Sequence, residues 1–153
     1  MIQRIQSLFL LLVTLLSALA LFGGWPFYSA SGAKAATLTF TSSTINDVKV
    51  TEVFSMLLMA AILGLSVYII FLFKNRKLQL LYCWILIAMV VLSAILAYLR
   101  YRNMSAQLME QTGVEGRIGI MFLFPLLMLL SVSLAMRGIW KDELLVRNMD
   151  RLR

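Results

Sequence analysis

The 153-residue chain has no histidine and a single cysteine, Cys83. The first absence removes the commonest general base and the commonest metal ligand together. The second excludes an intramolecular disulfide and any cysteine-cluster metal site. Charged residues make up only 14% of the chain, against about 25% in an average soluble domain. The shortage is uneven, because four long apolar runs carry no Asp, Glu, Lys or Arg at all. Proton relays, ion-coupled transporters and voltage sensors depend on ionisable groups at membrane depth. Intramembrane proteolysis needs a serine with a basic partner, two aspartates or a metal-binding helix motif. The runs supply none of these, so no catalytic, cofactor-binding or metal-binding residue is expected and the chain is not read as an enzyme.

What is present is apolar length. The runs cover about 5–22, 53–73, 79–99 and 118–136. The second, at 21 residues, would extend about 31 Å as a helix, which matches the hydrocarbon thickness of a bilayer. The fold expected is an all-α membrane protein, a bundle of four transmembrane helices forming one domain over 1–153. The net charge of +7 would suggest nucleic acid in a soluble protein. Here the cations flank the apolar runs, where orientation and anionic lipid headgroups account for them, and no nucleic-acid partner is expected.

The first run follows Arg4 and contains Ala18-Leu19-Ala20, so it imitates a secretory signal peptide with its cleavage site. A retained first helix is the competing reading and the one expected. Gly23, Gly24, Trp25 and Pro26 then close it with helix breakers and an interfacial aromatic. Residues 24–52 form the first loop. The strict alternation at 37–41, Thr-Leu-Thr-Phe-Thr, reads as a strand, and 48–53 could pair with it across a turn at 42–47, giving a small β-hairpin. Lys74, Asn75, Arg76 and Lys77 leave so short a connection that the second and third spans must be antiparallel neighbours. The second loop, 100–117, reads as a helical extension broken at Gly113. Pro125 falls about two turns into the fourth run and is expected to interrupt or kink it. Residues 137–153 form a charged, helix-prone tail.

Cations near short loops set orientation. Arg4, Lys74, Arg76, Lys77, Arg137, Lys141, Arg147, Arg151 and Arg153 lie on one side of the expected bundle. Lys34, Lys49, Arg100, Arg102 and Arg117 lie on the other. Nine against five places both termini in the cytoplasm and the first loop outside it.

Small residues recur four apart at Ala60 and Gly64, Ser93 and Ala97, and Ser131 and Ala135, a spacing that lets helix backbones approach closely. Bundle packing and an oligomer seam use the same physics and both remain open. Met56 and Met59 have the spacing of a thioether pair, but without histidine or a second cysteine, gap-filling is the simpler reading. In the tail, Leu144, Leu145, Met149 and Leu152 share one helical stripe and Glu143 sits four residues before Arg147. Each basic residue there is worth about 1 kcal/mol near an anionic leaflet. The acids Asp142, Glu143 and Asp150 suit a protein contact equally well.

The start Met1-Ile2-Gln3-Arg4-Ile5-Gln6, the loop Lys74-Asn75-Arg76-Lys77-Leu78-Gln79 and the tail from Arg137-Gly138-Ile139-Trp140-Lys141-Asp142-Glu143 to Asp150-Arg151-Leu152-Arg153 belong together. With them the chain resembles, over its whole length, a family of short bacterial four-span membrane proteins known only as a domain of unknown function. The resemblance implies a bacterial inner-membrane protein with a retained first helix, and carries over no catalytic or ligand residue. The three segments share the side assigned to the cytoplasm. Arg4, Lys74, Arg76, Lys77, Arg137, Lys141, Asp142, Glu143, Arg147, Asp150 and Arg151 are therefore expected to form one docking surface for anionic lipid or a membrane-protein partner. The function expected is a non-enzymatic scaffold or accessory subunit of a larger membrane assembly, alone or as a homo-oligomer. The alternative is an oligomeric transport or pore-forming protein, since four polar-poor helices cannot line an aqueous path alone.

Overall fold

A computed structural model describes residues 2–30, 36–45, 48–72, 75–112 and 116–150; the side chains of 2–6, 111–112, 142–143 and 145–150 are outside that description. In chain order the elements are α1 (Ile2–Phe22), β1 (Tyr28–Ala30), β2 (Ala36–Leu38), β3 (Ser42–Ile45), β4 (Val48–Thr51), α2 (Val53–Phe71), α3 (Arg76–Thr112), β5 (Arg117–Ile118), a 3₁₀ turn (Ile120–Leu123) and α4 (Phe124–Asp150). The chain is mostly helical, with a small antiparallel sheet inserted at one end.

The four helices close into a ring. α1 packs between α2 and α4, and α3 packs between the same two on the opposite side. Each helix turns a stripe of alternating three- and four-residue spacing inward, the pattern that keeps one face toward its neighbours. On α2 the stripe is Met59, Ile62, Ser66 and Ile69; on α3 it is Cys83, Leu86, Val90, Ser93 and Ala97; on α4 it is Met128, Val132, Ala135 and Ile139. The outward faces are apolar as well, with Leu11, Leu57, Leu81, Leu92 and Leu130 exposed. A helix apolar all round requires an apolar surrounding. Among the described residues three helices are long and apolar enough to cross a membrane, and the described part of α1, Ser7–Phe22, is a shorter apolar helix.

α1 ends where Gly24 takes a left-handed conformation, φ 60°, the usual helix terminator. At the end of α2 the Leu72 N–H donates to the Ile69 carbonyl at 3.1 Å, and the Asn75 N–H donates to the Leu72 carbonyl at 3.2 Å. The Gln79 amide reaches back to the Ile69 carbonyl as a second donor at 3.3 Å, tying the start of α3 to the end of α2.

The sheet is larger than the hairpin expected from the sequence. Its order is β4-β3-β2-β1-β5, antiparallel throughout. The expected partner assignment is corrected: 48–51 pairs with 42–45, not with 37–41. The cause is a turn inside the alternating stretch. The Ser42 N–H donates to Thr39 Oγ1 at 2.9 Å, and the Thr39 N–H donates to the Ser42 carbonyl at 2.8 Å. The side-chain hydroxyl thus reverses the chain where alternation alone implied a continuing strand. Residues 42–45, expected to be turn, become the strand that pairs on both sides.

One extension holds and one further boundary moves. The helical extension expected after the apolar run ends at Leu99 is present, with α3 continuing to Thr112. Its inward stripe continues too, through Met104 and Leu108, which are buried. One helix face therefore lines the ring below and covers the sheet above. The fourth helix begins at Phe124, so Pro125 stands in its first turn rather than in its interior. There the missing N–H has no helical acceptor to lose, and no kink is required. Gly113 lies outside the described residues.

Candidate functional site

Topology puts the start of α1, the α2–α3 connection and the end of α4 at one end of the ring, and the sheet with the α3 extension at the other. Both ends carry features relevant to function.

At the sheet end, the residues Ile118, Tyr28, Leu38, Ser43 and Val50 form one row across all five strands. The α3 extension lies over this row. Tyr101 meets Tyr28 edge to face with ring centroids 5.3 Å apart. Below them, Phe27 contacts Phe40 at 5.1 Å and Phe122 at 6.2 Å, and Phe122 contacts Tyr101 at 6.2 Å. Five aromatic rings thus form a layer between the sheet and the helix ring. Phe27 is held by its backbone as well: its N–H donates to Leu38 and its carbonyl accepts from Gly119, each at 2.8 Å.

The α3 extension leaves a groove on each flank. One, of about 420 Å³, is bounded by Tyr28, Tyr101, Arg102, Ser105, Met109 and Gly116. The Tyr28 hydroxyl is buried there and rests over the Gly116 backbone, where a Cβ would run into the ring and its oxygen. Burial raises the Tyr28 phenol above its ordinary ionisation range, because the phenolate is the form that loses solvation.

The other groove, of about 200 Å³, is bounded by Ser43, Glu52, Arg100, Asn103 and Gln107, with Leu38, Ile45 and Met104 behind them. Arg100 is its centre. Its Nη1 donates to the Phe40 carbonyl at 3.3 Å and to Ser55 Oγ at 3.4 Å, both long. Its Nε and Nη2 are shielded and, among the described residues, meet no acceptor. Glu52 lies in electrostatic reach of Arg100, yet among the described residues no ion pair joins them. The Glu52 carboxylate instead accepts from Ser43 Oγ at 3.4 Å. Sequence reading counted Arg100 only among the five cations on this side of the bundle. It missed the groove because nothing in the local pattern links residue 100 to residues 43 and 52.

At the other end lie the residues expected to dock a partner. Arg76 is half-buried, and Lys77, Arg137 and Lys141 are exposed. Arg4 stands in the first turns of α1 and Asp142, Glu143, Arg147 and Asp150 in the last turns of α4, with their side chains outside the description; Lys74 and Arg151 lie outside the described residues. Much of the expected docking surface therefore falls outside the description.

The small-residue pairs separate into two kinds. Ser93, Ala97, Ser131 and Ala135 are buried in the ring. Ala60 and Gly64 face outward on α2, and a Cβ at Gly64 would meet nothing within 4 Å. The hydroxyls within the helices bond back to their own turns. Ser17 donates to Thr14, Ser66 to Leu63, Ser93 to Val90, Ser131 to Leu127 and Ser133 to Leu129, at 2.7–2.9 Å. Met56 is exposed and Met59 buried, so the two thioethers lie on different faces.

The family described as Domain of unknown function (DUF4293) matches residues 2–152. No curated protein matches the chain.

Proposed function

Because this chain belongs to the DUF4293 family, whose description assigns no activity, geometry has to carry the reading, and we propose a four-span, non-enzymatic membrane protein that serves as a scaffold or accessory subunit of a larger assembly. Its setting is a bacterial inner membrane, with both termini in the cytoplasm and the sheet on the far side. The observation that supports this most is the self-sufficiency of the helix ring. Among the described residues its inward face is apolar apart from Gln79 at the end of the ring and small hydroxyls that bond to their own helices. Such an interior offers packing surface and no polar path, so specific recognition falls to the two ends.

The basic end, with Arg76, Lys77, Arg137 and Lys141 on its described part, is the docking face for an anionic leaflet or a protein partner. The test is isolation of the tagged full-length chain in mild detergent, followed by mass spectrometry, beside a variant lacking 137–153. Foreign subunits recovered in fixed ratio with the full chain, and lost with the variant while membrane insertion persists, are the expected result. Unchanged recovery from the shortened chain would sink the docking assignment. A pure homo-oligomer that conducts ions in liposomes would instead support the transport reading.

A further inference from the structure

We propose that the groove bounded by Glu52 and Arg100 binds the head of a zwitterionic phospholipid bearing a primary ammonium, of the phosphatidylethanolamine type. The proposal rests on the membrane-spanning reading, and four observations carry it.

The first is level. Glu52 immediately precedes the apolar stretch of α2, and Arg100 immediately follows that of α3. Both stand in the plane where the apolar surface of the ring ends, which in a bilayer is the headgroup plane. The second is charge. Among the described residues one cation and one anion share a groove without forming a pair, and two guanidinium nitrogens have no acceptor. A ligand carrying both a phosphate and an ammonium completes each group with its opposite. Guanidinium binds phosphate through parallel N–H bonds, and carboxylate accepts from an ammonium, both charge-assisted.

The third is fit. About 200 Å³ accommodates a phosphoethanolamine head but not its acyl chains. Asn103 and Gln107, one turn apart on the flank of α3, add carboxamide donors for the phosphate oxygens. The chains have a path below, where Met56 on α2 and Leu92 and Leu99 on α3, at the helical phase of the groove, expose apolar surface. The fourth is mobility of the Arg100 head. Only two long hydrogen bonds hold it, so a small rotation toward the groove brings its shielded nitrogens to the phosphate.

The headgroup chemistry is selective. Phosphatidylglycerol has no cation for Glu52, and a choline head has no N–H to donate to it. The experiment is native mass spectrometry of the full-length chain titrated with phosphatidylethanolamine, phosphatidylcholine and phosphatidylglycerol of matched chains. The wild type is expected to retain one phosphatidylethanolamine with about tenfold preference over the other two, the worth of one hydrogen bond to a charged group. Glu52→Gln keeps the shape and is expected to erase that preference; Asn103→Ala is expected to weaken phosphatidylethanolamine and phosphatidylcholine alike. Arg100→Gln tests the phosphate contact but also empties the seam beneath the sheet, so the Glu52 and Asn103 variants keep the test decisive if it fails to fold. Equal retention of all three lipids, or an unaltered preference in Glu52→Gln, overturns the proposal. Equally tight binding of water-soluble glycerophosphoethanolamine overturns the lipid as its source. Resistance to alkaline carbonate extraction is scored separately: a chain released from membranes fails the spanning reading, whereas one that stays but discriminates no headgroup fails only this site.

Discussion

At the scale of single residues the sheet end is governed by close contacts. Gly116 leaves no room for a side chain beneath Tyr28. Gly116→Ala should displace that ring and cost about 1–3 kcal/mol, the usual range for overpacking a filled site, read as a lower melting temperature in detergent. Tyr28 supplies a pH dependence with a definite sign. Its phenol ionises near 10.0 in the unfolded chain and at higher pH in the folded one. Stability is therefore intact below that value and falls as pH rises through it toward the raised folded value. Tyr28→Phe should flatten that alkaline slope in thermal unfolding, and an unchanged slope would assign it to another group. These contacts were illegible in the sequence for a simple reason. Tyr28 meets Gly116 and Tyr101 only after two helices and a sheet have formed, and a tyrosine beside Ser29 carries no trace of that. Cys83, by contrast, stands inside an apolar run, where burial needs no distant partner, and the thiol is buried.

At the scale of elements, the helices were largely legible and the sheet was not. Apolar length announced four helices because each run needs only its own composition. The strands needed partners, and pairing depends on a turn fixed by one hydroxyl, Thr39, that alternation concealed. Residues 117 and 118 gave no strand signal, since a two-residue strand exists only by virtue of β1 beside it. Pro125 was misplaced by counting from the apolar run rather than from the helix, which starts at Phe124. The serines make an element-level prediction. Their hydroxyls bond within their own helices, so Ser66→Ala, Ser93→Ala and Ser131→Ala should each shift stability by less than about 1 kcal/mol, the net value of one such bond. Losses beyond about 2 kcal/mol in melting experiments would mean that these hydroxyls hold neighbouring helices together.

At the scale of the whole molecule, the two ends of the ring differ in kind: a folded, aromatic-sealed sheet at one and a cationic surface at the other. The proposed orientation predicts opposite chemical access. With Cys83→Ala as background, Lys49→Cys should react with an impermeant maleimide on intact cells and Lys141→Cys only after lysis; the reverse pattern would invert the topology. Both native side chains are exposed, so labelling reports the side and not burial. The strand order has a consequence for biosynthesis. β5 joins the edge of β1 although 86 residues separate Arg117 from Ala30 along the chain, as read from their numbers. α4, packed against α1, follows at once. The segment that emerges from the ribosome after the third helix therefore closes both the sheet and the ring. Until then the outer edge of β1 stays open and α1 lacks one neighbour. A chain stalled after its third helix would carry those raw surfaces as a mark of incompleteness, which membrane quality-control proteases are equipped to read.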